Sequence, residues 1–206
     1  AIRCMSTVQR YASLRRILSD DDIFLGISTS LKSNFKPGFI EAFVSPLLDR
    51  SLDSISTTCL FECNHYLVNT LLRDADAMSM AHSLEVRPVM LDHILVEHAL
   101  ALPSEVKVRN GEHKAILVDA VRDLLPAGLL SRPKTGFTLP LGTWLKTTLR
   151  QRLVASLNSP LARSLFQIDF LNKRLQGIDD ATESRLLWMI FILVSWAEEH
   201  RCTFTD

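Results

Sequence analysis

The sequence predicts a mainly α-helical protein, and three observations support this fold class. Apolar residues recur at helical spacing in almost every segment, for example at Val8, Tyr11, Leu14 and Leu18. Single prolines and glycines interrupt these segments, and we find no convincing run that alternates apolar and polar residues as a strand does. The sequence carries no internal repeat and no low-complexity tract, so residues 1–206 are expected to form a single helical domain.

The predicted helices follow one another along the chain and are separated by breaks. The segments with helical periodicity are TVQRYASLRRILSDDD, IEAFVSPLLDRSLD, TCLFECNHYLVNTLLRDADAMSMAHSL, HILVEHALAL, HKAILVDAVRDLL, WLKTTLRQRLVASL, DFLNKRLQG and RLLWMIFILVSWAEEH. The predicted breaks are Pro37-Gly38, Pro46, Pro103, the Asn110-Gly111 turn and Pro126. The third segment is either one long helix or two abutting helices, with a stripe of Leu60, Tyr66, Leu67, Leu71 and Met78. Met78 and Met80 are expected in the core.

Composition excludes several classes of partner. Lys plus Arg and Asp plus Glu number 23 each, so net charge gives no reason to expect nucleic acid or an acidic membrane. The longest apolar run, Leu186 to Ala197, is shorter than the roughly 18 to 20 residues that cross a bilayer, so we expect a buried helix there. The content of 47% hydrophobic residues suggests a face that packs against further protein. No signal peptide is recognised, and a cytoplasmic location is expected.

Cysteines and histidines do not predict a metal site. Cys59, Cys63 and His65 lie close together in CLFECNH, but a structural zinc site needs a second ligand pair, which the sequence lacks. Reduced, buried thiols on a helix are therefore expected at Cys59 and Cys63. The six histidines form no H-E-x-x-H pattern, so no metal ligand is predicted.

Four charged residues lie at helix ends or in irregular stretches, where side chains that act on ligands are common. Glu85 and Arg87 precede a proline that stops a helix, Lys114 opens the next helix but one, and Lys134 lies in the proline- and glycine-rich RPKTGF. Lys114 opposes the helix dipole, which an anionic ligand would compensate. Without a ligand, the simplest interpretation is a solvated helix end at Glu85 and Arg87, a surface pair of Lys114 with Asp119 or a neighbouring acid, and an exposed loop lysine at Lys134.

Three motifs in order resemble a known family. LLRDADAMSMAHSLEVRPVMLD, LPSEVKVRNGEHKAIL and LLPAGLLSRPKTGFTLPLGTWL are similar to the synthetase domain of glutamine-dependent asparagine synthetases, over roughly residues 65 to 200. The resemblance implies the helical C-terminal half of an adenine-nucleotide α-hydrolase-like (N-type ATP pyrophosphatase) synthetase domain. It implies ATP and Mg as cofactors, both bound mainly by residues outside this chain. The family's pyrophosphate-binding loop and the nucleophilic cysteine of its glutaminase domain have no counterpart in this sequence.

The resemblance also implies a reaction and its residues. Such enzymes convert aspartate to asparagine through a β-aspartyl-adenylate, with ammonia from glutamine supplied by an N-terminal glutaminase domain. Glu85 matches the glutamate that meets the ammonia, Lys134 and Lys114 match lysines that stabilise developing negative charge, and Arg87 braces the substrate-binding region around Glu85. Asp92 is expected to cap the next helix.

Two departures and several alternatives accompany this assignment. Ala77 stands where the family has arginine, and Pro88-Val89-Met90 moves the motif proline forward. The isolated chain is expected to be inactive alone, and a homodimer is a further partner that the resemblance allows. Other readings are a related amide-forming ligase, of the β-lactam-synthetase type or acting on another carboxylate, and a non-catalytic helical module.

Overall fold

The computed structural model of the chain describes residues 5–109, 114–126, 128, 129, 132 and 139–203. The described residues are mainly α-helical, as predicted, and an isolated β-bridge pairs Ile27 with Phe166. The chain divides into two compact units. The first unit takes its described residues from Ala1–Arg15 and Phe39–Lys134, and the second from Arg16–Gly38 and Thr135–Asp206. The single domain expected from the sequence stays a prediction.

Helices account for most of both units. In chain order the α-helices are α1 (Thr7–Arg15), α2 (Asp20–Gly26), α3 (Phe39–Val44), α4 (Ser54–Phe61), α5 (Arg73–Met80), α6 (His93–Ala101), α7 (Ser104–Lys107), α8 (Ala115–Val121), α9 (Leu141–Lys146), α10 (Arg150–Leu157), α11 (Pro160–Leu165), α12 (Ile168–Gln176) and α13 (Ala181–Glu199). Short 3-10 helices span Thr29–Asn34, Ser45–Leu47, Val89–Leu91 and Arg122–Leu124, and a π-helix spans Glu62–Leu72.

Most predicted breaks are confirmed. Gly38 has φ 75°, the left-handed region that glycine adopts without steric cost, and Pro46 lies in the 3-10 turn that follows α3. Helix α6 ends before Pro103, and the 3-10 turn after α8 ends before Pro126. The predicted Asn110-Gly111 turn lies outside the described residues.

A small cluster forms the core of the first unit. Its buried members are Val8, Tyr11, Val44 and Phe61, with Ile40 and Leu47 packed against them. The rings of Tyr11 and Phe61 meet edge to face, with centroids 5.3 Å apart, which is a favourable aromatic geometry. This cluster joins α1, α3 and α4.

The long third segment of the sequence is one helical run whose winding changes midway. Helix α4 passes into the eleven-residue π-helix Glu62–Leu72 and then into α5 without leaving helical backbone angles. Because a π-helix winds with i→i+5 hydrogen bonds, it rotates residues away from the 3.6-residue stripe that the sequence predicts. The prediction that Met78 and Met80 lie in the core is wrong, since both side chains are more than half exposed.

The second unit has a larger core, built around α13. Eleven buried side chains belong to it, among them Leu145, Leu153, Leu187 and Val194. One face of α13 is buried, whereas Met189 and Trp196 on the helix are about half exposed, so the predicted buried helix is amphipathic. Among the described residues, no helix has the length and apolarity that a membrane span requires.

Candidate functional site

Helix α5 ends in a tight turn that the local sequence builds. Ser83 has φ 57°, its N–H donates to the carbonyl oxygen of Met80 at 2.9 Å, and the N–H of Leu84 donates to the carbonyl oxygen of Ser79 at 3.0 Å. These two bonds form a Schellman motif, which satisfies carbonyl groups that the last helical turn would leave without a donor. A serine occupies the left-handed position that glycine usually takes, so the turn carries some backbone strain.

Glu85 and Arg87 lie in the irregular residues that follow this turn. Pro88 disfavours helical angles at Arg87, and Pro88 itself has extended backbone angles just before the 3-10 turn Val89–Leu91. The Nε atom of Arg87 donates to Oε1 of Glu85 at 2.9 Å. Both side chains face water, with 83% of Arg87 and 67% of Glu85 exposed. The structure therefore brings this predicted pair together, and solvent screening keeps its contribution to stability small.

Asp92 is the N-cap residue of α6, the helix that follows the Glu85 segment. Its Oδ1 atom accepts hydrogen bonds from the backbone N–H groups of Ile94 at 3.0 Å and Leu95 at 3.3 Å. The predicted cap at Asp92 is confirmed, and it sets where α6 begins. Glu85 consequently lies in a short connector whose two ends are each held by backbone hydrogen bonds.

Lys114 immediately precedes α8 and is exposed. Its backbone has φ 60° and ψ 33°, a left-handed conformation that is uncommon for a residue with a Cβ atom. The predicted alternative of a Lys114–Asp119 pair is wrong, because Asp119 binds Arg122 at 2.8 Å and also Arg109. These two guanidinium groups, Arg122 first, hold the pKa of Asp119 below its ordinary value.

The Lys114 ammonium group has no hydrogen-bond or ion-pair partner within the described part of the chain. It therefore forms no hydrogen bond or ion pair with Glu85 or Arg87. Lys134 lies outside the described residues, so its predicted role stays a prediction. A cation that faces water beside a helix start remains available to an anionic ligand.

Two polar networks in the first unit were not predicted. In the first, Oδ1 of Asp53 accepts hydrogen bonds from the N–H groups of Ile55 and Ser56 and from Oγ of Ser104, the last at 2.6 Å. These bonds, led by the one from Ser104, hold the pKa of Asp53 well below its usual range. Lys107 extends the network by donating from Nζ to the carbonyl oxygen of Leu100 at 2.8 Å, at the end of α6.

The second network joins Arg15 to Glu62. Nε of Arg15 donates to Oε1 of Glu62 at 2.7 Å, and the guanidinium group lies 4.0 Å from the ring centroid of Tyr66. Burial, followed by the charge of Glu62, raises the pKa of Tyr11 to about 12. Local sequence signals could indicate Asp53 as a helix cap, but they carry no information about partners 47 to 51 residues away.

The described residues also include a cavity far along the chain from the predicted site. It has a volume of about 400 Å³ and belongs to the second unit. Its lining residues are Asp22, Leu25, Gln167, Asp169, Phe170, Lys173 and Arg174. None of the four predicted site residues contributes to it, and its mixture of charges does not select one ligand.

The described residues do not form a cluster of metal ligands. No group of three or more His, Cys, Asp or Glu side chains is arranged to hold a metal within the part of the chain that the structure describes. Cys59, Cys63 and Cys202 are free and half-buried. Burial raises the pKa of Cys63, which favours the thiol over the metal-binding thiolate.

Comparison with known proteins places the motifs in a family. The family model described as asparagine synthase matches residues 5–198. Asparagine synthetase [glutamine-hydrolyzing] 1 of Bacillus subtilis (strain 168) is 28% identical over 148 residues, which are 71% of this chain and 23% of that protein. A putative asparagine synthetase [glutamine-hydrolyzing] of Mycobacterium tuberculosis (strain ATCC 25618 / H37Rv) is 32% identical over 134 residues, which are 64% of this chain and 21% of that protein.

A vertebrate relative matches a shorter part. Asparagine synthetase [glutamine-hydrolyzing] of Gallus gallus is 40% identical over 67 residues, or 31% of this chain and 12% of that protein. No solved structure gives a significant match. The chain spans only about a fifth to a quarter of the length of the bacterial relatives. Because the family model covers nearly all of the sequence and the motif residues fall inside it, this chain belongs to the asparagine synthase family, whose synthetase domain has the adenine-nucleotide α-hydrolase-like fold.

Proposed function

We propose that this chain is part of an ATP-dependent ligase that makes asparagine from aspartate and glutamine-derived ammonia. The observation that carries the proposal is the position of Glu85, whose carboxylate lies exposed in a connector that two helix-terminal hydrogen-bond motifs hold in place. A ligand can reach such a group without disturbing the core. The family assignment and the names of the relatives support the same reaction.

Glu85 acts on the nitrogen nucleophile in this proposal. Ammonia attacks the activated carbonyl carbon of aspartate, a C–N bond forms, and the C–O bond to the leaving group breaks. The nitrogen then carries a surplus proton, and the carboxylate of Glu85 accepts it. Arg87 keeps Glu85 oriented through the 2.9 Å hydrogen bond from Nε and leaves Oε2 of the carboxylate available to the nucleophile.

The two lysines stabilise negative charge. Lys114 presents an ammonium group that has no partner within the described residues, next to the start of α8. Its left-handed backbone is a strained conformation of the kind that is retained at ligand sites. Lys134, in the RPKTGF motif, is proposed to stabilise the negative charge that develops in the transition state.

The residues fit a phosphate group better than a metal ion. Lys114 suits a phosphate oxygen because it is cationic, exposed and unpaired among the described residues. ATP, when bound, activates the aspartate carboxylate by transferring its adenylyl group. Mg, when bound, is proposed to be held mainly by residues outside this chain.

The test uses the complete polypeptide in which this chain occurs, supplied with aspartate, ammonia and ATP. The expected products are asparagine and AMP in equal amounts. The changes Glu85→Gln and Lys134→Ala should each lower turnover by at least about 10²-fold, since one removes a proton acceptor and the other a charge that stabilises the transition state. Turnover with ammonia isolates the synthetase reaction from glutamine hydrolysis.

Two matched variants provide the controls. Glu97→Gln, on the exposed surface of α6, and Lys36→Ala, which is exposed in the second unit, should leave turnover unchanged. No release of AMP with aspartate would exclude asparagine synthesis, and AMP release with a different carboxylate would point to a related ligase. Exchange of pyrophosphate with ATP by residues 1–206 alone would contradict the proposal that the chain needs the rest of the enzyme.

A further inference from the structure

Helix α13, which is 19 residues long, carries an apolar stripe on the side that faces away from the core of the second unit. We name it the α13 stripe, and its members, each between 43% and 53% exposed, are Met189, Ile192, Leu193 and Trp196. Their positions i, i+3, i+4 and i+7 lie on one face of an α-helix. The buried apolar side chains of α13 occupy the other side of the helix: Leu186, Leu187, Ile190, Phe191, Val194 and Ala197. A second apolar face on a helix that already buries its first one is typical of an interface.

The stripe follows the sequence repeat of a coiled coil. Met189, Ile192 and Trp196 are spaced three and then four residues apart, which is the alternation of the a and d positions of a heptad. Arg185 continues this seam four residues before its first apolar position, and Glu199 continues it three residues after its last. Both of these charged side chains are exposed. The seam therefore has an apolar centre, a cation towards the N-terminus of the helix and an anion towards the C-terminus.

The two end charges make the seam complementary to itself. Arg185 and Glu199 are each seven residues from Ile192, so an antiparallel pair of α13 helices with its two-fold axis at Ile192 sets each arginine beside the glutamate of the other copy. A parallel pair would place like charges together at both ends, which is unfavourable. Antiparallel packing also brings each helix N-terminus beside the C-terminus of the other helix, as the helix dipoles favour. Within the described part of the chain neither charged side chain has a hydrogen-bond or ion-pair partner, so both are available to a second copy.

We propose that the α13 stripe is a homodimer interface, on which the α13 helix of a second copy packs in the antiparallel direction. Ile192 meets its counterpart at the two-fold axis, and Met189 lies near Trp196 of the other copy, where a flexible thioether beside an aromatic ring makes a favourable contact. Two Arg185–Glu199 pairs, one at each end, fix the register of the two helices. The inference does not rest on the proposed reaction, because none of these residues belongs to the predicted site.

Charge reversal tests the interface in the complete gene product, with sedimentation equilibrium as the measurement of the dimer dissociation constant. Arg185→Glu and Glu199→Arg each place like charges opposite one another at both ends of the seam, so each should raise the dissociation constant by about tenfold. The variant that carries both changes restores opposite charges at both ends, and its dissociation constant should return to within about threefold of the unchanged protein. Glu198→Arg is the matched control, because it makes the same change of charge at an exposed position outside the seam and should leave the dissociation constant unchanged.

Several outcomes would overturn the proposal. A complete gene product that stays monomeric over the whole concentration range would show that no second copy occupies the stripe. A dimer whose dissociation constant responds to neither single variant would place its interface elsewhere on the protein. Weakening by both single variants without recovery in the double variant would show that the two charged residues do not face each other. An equal effect of Glu198→Arg would indicate a general response to charge and no specific pairing.

Cross-linking provides a second measurement that does not depend on charge. Ile192→Cys places a thiol at the two-fold axis, where it meets the same thiol of the other copy, so mild oxidation should link two copies of the complete gene product by a disulfide. Gln151→Cys, at an exposed position of α10, is the control and should give no more linked dimer than the unchanged protein, whose own cysteines set the background. Equal amounts of linked dimer from the two cysteine variants would contradict the antiparallel α13 interface.

Discussion

The two units of the molecule differ in how they hold their helices. In the second unit, eleven buried side chains form one cluster around α13. In the first unit, four buried side chains join α1, α3 and α4, and the 62–103 region contributes none. Glu85, Arg87 and Lys114, the described residues for which a functional role is predicted, belong to the less buried unit. Ligand-binding segments are commonly drawn from the less stable parts of a protein, because they must rearrange or receive a partner.

The comparison also shows two ways of stabilising helix ends. In the second unit, Asp180 caps α13 through the N–H groups of Thr182 and Glu183, and the helix body is then buried. In the first unit, Asp92 caps α6 in the same way, yet no residue of α6 is buried. Capping therefore defines where both helices begin, whereas burial stabilises the body of α13 and no side chain of α6 is buried.

The largest expected effect concerns the small core of the first unit. Phe61→Ala removes a fully buried ring and should lower the free energy of unfolding by about 3–5 kcal/mol, because little other packing compensates for the cavity. Hydrogen exchange of the α1 and α4 amides measures this loss. Val89→Ala is the control, and its effect should stay within about 0.5 kcal/mol because the side chain is exposed. Similar losses in both variants would mean that the exposed Val89 side chain contributes as much packing energy as the buried Phe61 ring.

An intermediate effect on the free energy of unfolding is expected at high pH, where Tyr11 ionises. Burial raises the pKa of Tyr11 from 10.0 to about 12, and its hydroxyl lies 3.4 Å from the carbonyl oxygen of Phe61. Since the folded state favours the neutral phenol, its contribution to stability is fully present below pH 10 and is lost as the pH rises toward 12. Absorbance at the phenolate wavelength should show one late ionisation that is absent in Tyr11→Phe. An ordinary ionisation at Tyr11 would remove it from the core of the first unit.

The smallest expected effect concerns the turn before Glu85. Ser83→Gly relieves the left-handed strain at φ 57° and should raise the free energy of unfolding by about 0.5–1 kcal/mol. Ser79→Gly, inside α5, should lower it by about 0.5 kcal/mol, because glycine disfavours helix. Urea denaturation distinguishes the two changes. If both substitutions raised the free energy of unfolding, the low helix propensity of glycine would not control stability at position 79.

Much of the fold was predictable because helix signals are local. The stop before Pro103, the boundary at Pro46 and the cap at Asp92 each depend on residues within about one turn. The candidate site was predictable as a set of residues only through the resemblance to a family. Glu85 and Arg87 form a hydrogen-bonded pair, while the roles of these two residues, of Lys114 and of Lys134 stay predictions.

Burial and long-range pairing were the parts that sequence reasoning missed. Leu14 and Met78 occupy helical apolar positions, yet they are 81% and 70% exposed. The periodic pattern marks which side of a helix is apolar, but it does not say whether another surface covers that side. The bond between Asp53 and Ser104 likewise depends on two segments that meet only after folding.

The sequence by itself determined that this protein is helical, where several of its helices begin or end, and which family it belongs to, since these properties rest on neighbouring residues and on ordered motifs. Only the tertiary structure decided which apolar side chains are buried, that the run from α4 to α5 winds through a π-helix, and that Glu85 faces solvent beside Arg87. The physical reason is that a side chain is buried only when a second surface covers it. The apolar pattern of one segment does not identify that second surface.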